Sequence, residues 1–173
     1  MTETSPRTQT EPMAFTRTEF WRGATSAWLW FIPLSLAPWT IFFGPYAVIA
    51  AMYVVPWSIG AALVFATPAY LLGRALRRIP RMPVHLLAFA SLGAAVGVAT
   101  TVVLFAVDPS LGQAMGAAIL TVNTAASTAA VTIGWWRSAR RALRSDVVPV
   151  ETRGADTDAA AEDALLGDGG SAR

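Results

Sequence analysis

A chain of 173 residues that is 54% hydrophobic and only 14% charged, with a mean hydropathy of +0.48, cannot hide its apolar surface in a soluble fold; its class is membrane protein. The net charge of +2 conceals a segregation: nine Arg and one acid, Asp108, lie between Phe20 and Ser145, whereas seven acids and two Arg follow from Asp146 onward. The absence of Cys excludes disulfide scaffolds, thiol redox chemistry and Cys-ligated zinc, and Arg residues that only flank apolar runs argue against a nucleic-acid partner.

Residues 1–15 are rich in Thr, Glu and Pro and read as a disordered tail. The stretch "FTRTEF" follows, with Thr16 and Glu19 at capping-box spacing and Phe15 and Phe20 placed for a hydrophobic staple, so a helix is expected from Arg17. The segment before the apolar run is long and acidic, which suits an uncleaved anchor better than a signal peptide.

From Gly23 to Gly73 no residue is charged. One helix of that length, at ~1.5 Å per residue, would be more than twice the ~30 Å hydrocarbon core, so the run is expected to hold two spans. The turn falls between Gly44-Pro45 and Val55-Pro56, and Gly-Pro is the stronger breaker. "RALRRIPRMP" closes the second span, and its prolines predict an extended connection. Val84 to Val107 forms the third span. "DPSL" predicts a tight turn, with Ser110 and Gln113 as a second capping box, before a fourth span that ends near Trp136.

The expected fold is therefore all-α: a four-helix transmembrane bundle over 16–145, with spans at about 23–43, 46–73, 84–107 and 111–136, between a disordered 1–15 and an acidic, disordered 146–173. Arg flanks the start of span one, the connection between spans two and three, and the end of span four, while the two opposite loops have none. The positive-inside rule then puts both termini in the cytoplasm of a multi-pass protein of the bacterial plasma membrane. Arg74, Arg77, Arg78, Arg81, Arg137, Arg140, Arg141 and Arg144 serve as topology signals and as partners for anionic lipid headgroups.

Within the fourth span, "TVNTAASTAAVTIGWW" (121–136) has polar side chains at six of its first twelve positions. On a helical wheel Gly112, Gly116, Asn123, Ser127, Ala130 and Gly134 share a narrow arc. "GQAMG" (112–116) and "GAAVG" (93–97) are GxxxG motifs, and Thr100 shares the face of the second. Small residues let helix backbones approach, and Ser, Thr and Asn bond across the contact. Gly93, Gly97, Thr100, Gly112 and Gly116 are thus expected to pack spans three and four together, or to form a homo- or hetero-oligomer contact. The other reading is a polar cavity lined by Asn123, Thr124 and Ser127.

His85, the only His, stands without carboxylate neighbours at the start of span three, where a backbone hydrogen bond or an interfacial position accounts for it. The spans hold no Asp, Glu, Lys, Arg or Cys at depth, whereas proton-coupled transport normally requires such a group. No catalytic set, metal site or cofactor is indicated. The function expected is that of a non-enzymatic structural or partner subunit, with a small transporter or channel component as the alternative. "PAYLLGRALRR" followed by "HLLAFASLGAAVG" resembles a loose set of small four-span membrane proteins of actinobacteria-like genomes. That resemblance covers about a fifth of the chain; it implies the topology and no chemistry.

Overall fold

In a computed structural model, which describes residues 10–146, the protein is all-helical, with no strand among the described residues. Helix α1 spans Arg17–Phe43, a 3-10 turn Gly44–Tyr46, α2 Ala47–Leu76, α3 Met82–Val107 and α4 Pro109–Asp146. The described residues contain three helical stretches long and apolar enough to cross a membrane, Arg17–Leu76, Met82–Val107 and Pro109–Arg144. The chain divides into two compact units, Met1–Arg140 and Arg141–Arg173. Of the second, only the helical continuation to Asp146 is described, and the acidic remainder of the expected tail lies outside the described residues, as do residues 1–9.

The first apolar stretch, 60 residues long, reverses direction. Trp28 Nε1 donates to Ser58 Oγ at 3.0 Å, although thirty residues of continuous helix would hold them ~45 Å apart. The reversal sits at Gly44, whose φ of 55° and ψ of −130° suit a residue without Cβ, and Pro45 follows at the start of the 3-10 turn. Four prolines lie inside these helices, Pro33 and Pro38 in α1 and Pro56 and Pro68 in α2. Near two of them a serine hydroxyl turns back on its own helix, Ser35 to the Ile32 carbonyl at 3.0 Å and Ser58 to the Val55 carbonyl at 2.8 Å.

The start of α1 is a complete capping box. The Glu19 amide donates to Thr16 Oγ1 at 3.1 Å, and the Thr16 amide donates to Glu19 Oε2 at 2.9 Å. Three other boundaries differ from the sequence expectation. Helix α3 begins at Met82, because Pro83 fits the first helical turn, where its missing N–H costs nothing, instead of prolonging the connection. Asp108, not Ser110, caps α4: its Oδ1 accepts the Ser110 amide at 3.1 Å and the Ser110 hydroxyl at 2.5 Å, with Pro109 in the first helical position. These bonds, the Ser110 hydroxyl foremost, hold the exposed Asp108 carboxyl below its ordinary pKa. Lastly, α4 runs past Trp136 through the Arg cluster, since Arg is a good helix former, and it is kinked at Met115 (φ −142°, ψ 19°).

Packing inverts the pattern of a soluble domain. Among the most buried side chains are Ala130, Thr101, His85, Ser35, Ala126 and Ser127, while Ile41 is 81% exposed, Phe42 79% and Met52 73%. The large apolar side chains face outward, as a hydrocarbon solvent allows, and small residues fill the interior. This is a helical membrane protein.

Residues 11–15, expected to belong to a disordered tail, are docked instead. The Met13 amide donates to the Arg77 carbonyl at 3.1 Å, and Glu11 pairs with Arg77. Composition marks a polar segment but does not reveal a partner 66 positions away.

Candidate functional site

One polar residue of α4, Asn123, reaches three acceptors of α3 at one point. Asn123 Nδ2 lies 3.0 Å from the Gly97 carbonyl, 2.9 Å from Thr100 Oγ1 and 2.8 Å from Thr101 Oγ1. A carbonyl can only accept, so the amide nitrogen must face this cluster. Each Thr hydroxyl gives its own hydrogen to α3: Thr100 to the Val96 carbonyl at 2.7 Å, with a longer 3.2 Å contact to that of Gly97, and Thr101 to the Gly97 carbonyl at 2.8 Å. Their lone pairs are left for Asn123. Two amide hydrogens thus meet three acceptors, and no donor capacity of the Asn123 amide is left over.

Glycine makes this approach possible. A Cβ at Gly97 would lie 2.5 Å from Thr124 Cα, and one at Gly93 would lie 2.7 Å from the Ser127 carbonyl oxygen and 2.8 Å from Thr128 Cα. Real Cβ atoms do not come so near, so the two backbones touch along one antiparallel seam. Gly112 and Gly116 do not join it. Both face the Phe105 ring, with a Cβ at 3.3 and 3.7 Å respectively, and the kink at Met115 lies between them.

A second close crossing escaped the sequence reading. A Cβ on Gly134 would lie 2.6 Å from Ala27 Cβ of α1, and one on Gly23 3.3 Å from Ser138 Cβ. Ser138 Oγ donates to the Glu19 carbonyl at 3.0 Å in the same row. The signal was present in the four-residue spacing of small side chains, Gly23 with Ala27 and Gly134 with Ser138.

Two threonines of α4 turn back on their own helix. Thr128 donates to the Thr124 carbonyl and Thr132 to the Thr128 carbonyl, each at 2.7 Å. Ser127 is buried. Thr124 Oγ1 is buried with no hydrogen-bond partner.

At the Arg-bearing end, His85 is buried and fixes the α2–α3 connection. Its Nε2 lies 2.8 Å from the Ile79 carbonyl, so this nitrogen carries the hydrogen, and the ring stacks on Trp135 at 4.9 Å. Phe89 stacks on the same indole at 5.3 Å. The Arg137 guanidinium lies 5.8 Å from the Trp30 ring and that of Arg140 4.3 Å from the Trp136 ring. Arg74, Arg78 and Arg81 are exposed, and Arg141 and Arg144 are exposed on the continuation of α4. No group of three His, Cys, Asp or Glu able to hold a metal ion forms among the described residues.

Comparison of the chain with protein families, with curated proteins and with solved structures finds no match.

Proposed function

We propose that this chain is a four-span protein of the bacterial plasma membrane with both termini in the cytoplasm, and that it acts as a non-enzymatic structural or partner subunit. The reversal at Gly44 supports the count, because it splits the first stretch into helices of 27 and 30 residues, each longer than the ~30 Å core requires. Orientation rests on charge. The contacts of Glu11 with Arg77 and of Ser138 with Glu19 bring the start of α1, the α2–α3 connection and the Arg137–Arg140 region of α4 to one end. The turn at Asp108 carries no Arg, and the positive-inside rule assigns the Arg end to the cytoplasm.

The observation that carries the functional reading is the Asn123 amide, whose donors are all engaged by α3. The polar stripe then serves as adhesive between helices. The partner would lie against the outward apolar faces, among them that of α2 at Met52, Leu63 and Val64.

Two measurements test the proposal. A reporter fused after Arg173 is expected to be active only in its cytoplasmic form, and activity of a periplasmic reporter at that position would end the topology. Because the chain lacks Cys, single Cys residues can be placed along α2 without background. Cross-linking in native membranes is expected to give an adduct of discrete mass from Met52→Cys or Leu63→Cys; lipid-only labelling along the whole helix would end the subunit role.

One observation favours the transporter or channel alternative. Thr124 Oγ1 is a buried hydroxyl without a partner, one turn from Ser127 and beside Asn123. On that reading Thr124→Val would abolish flux and leave melting unchanged. On the structural reading it removes an unpaired group and raises stability.

A further inference from the structure

Residues 11–15 form a strap across the connection between α2 and α3. Glu11 Oε1 lies 3.1 Å from Arg77 Nε and 3.8 Å from Arg78 Nε. The Ala14 amide donates to the Glu11 carbonyl at 3.2 Å, closing a turn, and the Met13 amide reaches the Arg77 carbonyl at 3.1 Å. Phe15 then seats on Gly73, where a Cβ would come within 2.8 Å of its ring. Its edge meets Tyr70 at 5.8 Å, and Phe20 does the same at 5.3 Å.

Tyr70 suits the depth of the headgroups, where Tyr is enriched, and the adjoining guanidinium groups then lie at that depth too. One carboxylate is shared by two guanidinium groups, with the exposed Arg74 and Arg81 close in sequence on either side. The positive charge is therefore largely uncompensated by the strap. Arg78 keeps 74% of its side chain exposed, in position to meet an anion while Glu11 is still bound. Phosphate oxygens match the forked guanidinium better than a single shared carboxylate oxygen does. Both of these ion pairs lie at the surface, half-buried at Glu11 and Arg77 and open at Arg78, and surface pairs are weak enough to be displaced.

We propose that Arg77 and Arg78 are a binding surface for the phosphate of anionic phospholipid in the inner leaflet, and that Glu11 occupies this surface in competition with the lipid. Lipid binding releases residues 11–15 from the connection; a zwitterionic membrane, whose phosphate charge is offset by its own choline, leaves them docked. The inner-leaflet assignment rests on the topology proposed above, whereas the competition itself does not.

The test is amide hydrogen exchange at Met13 and Ala14 in the full chain, reconstituted in nanodiscs. Zwitterionic phosphatidylcholine is compared with a mixture containing phosphatidylglycerol. Exchange is expected to be roughly fivefold faster in the anionic discs, the equilibrium equivalent of losing one surface ion pair. Glu11→Gln should exchange fast in both lipids, and Arg77→Gln with Arg78→Gln should abolish the response to lipid. Equal wild-type exchange in the two lipids would overturn the proposal. So would an equal acceleration by inorganic phosphate in neutral discs, which would make the ligand a free anion. Both faces of a nanodisc are open, so the result stands even if the C-terminal reporter places the Arg end outside.

Discussion

Gly97→Leu is expected to lower the melting temperature of the detergent-solubilised protein sharply. A side chain there has nowhere to go: its Cβ would lie 2.5 Å from Thr124 Cα and 3.0 Å from the Asn123 carbonyl oxygen, and both are backbone atoms. A neighbouring rotamer cannot relieve the clash, so the helices must separate. Overpacking at a rigid contact costs up to ~3 kcal/mol or more. The separation would also pull Asn123 from its three acceptors. Gly93→Leu should behave similarly, since it meets the backbone of Ser127 and Thr128. Gly116→Leu is the control, because its neighbour is the Phe105 ring at 3.7 Å, a side chain that can swing aside. A thermal melt of the three variants decides the matter, and equal losses at positions 97 and 116 would show that close approach is not what the glycines provide.

Asn123→Leu should follow, with a loss of ~1–2 kcal/mol, the upper range for an interhelical hydrogen bond in a membrane protein. The loss is bounded because Thr100 and Thr101 keep their bonds to α3 when the amide is removed. Thr128→Val and Thr132→Val should shift stability by less than ~0.5 kcal/mol, since each hydroxyl bonds only the carbonyl one turn back on α4. Melting curves of these variants measure adhesion directly. A variant Asn123→Leu that melts like the parent but loses a transport phenotype would transfer the stripe from adhesive to site.

How far the sequence reaches is set by the range of the interaction involved. Thr16 and Glu19 are three residues apart, and their capping box could be read from spacing alone. The reversal at Gly44-Pro45 was legible for the same reason, since a positive φ and a proline act on the spot. At Asp108 and Ser110 local rules competed. Both can cap, and Pro109, which fits the first helical position, settled the choice for Asp108. Where the geometry between helices chose the partner, pattern was not enough. "GAAVG" and "GQAMG" are the same motif, yet one meets a backbone and the other a phenyl ring. Only the crossing point of α3 on α4 and the kink at Met115 tell them apart. Glu11 and Arg77 likewise look like ordinary polar residues until the chain brings them to 3.1 Å. The polar node around Asn123 was half legible: a lone amide in an apolar helix needs a partner, and Thr100 offered one, but Thr101 and the Gly97 carbonyl could not be foreseen without the backbone contact.

The interior of small side chains also sets where this gene can drift. At Gly93, Gly97, Ala126, Ala130 and Gly134 nearly every mutation adds volume, and at the tightest of these, added volume meets backbone. At Ile41, Met52, Leu63 or Val102, one aliphatic residue substitutes for another with little consequence, because lipid accepts any shape. Variation among descendants should therefore accumulate at the bulky positions and spare the plain ones, the reverse of a water-soluble enzyme, in which large core residues are the slowest to change. In this chain, alanine and glycine hold the historical record, and leucine and isoleucine are the part free to be rewritten.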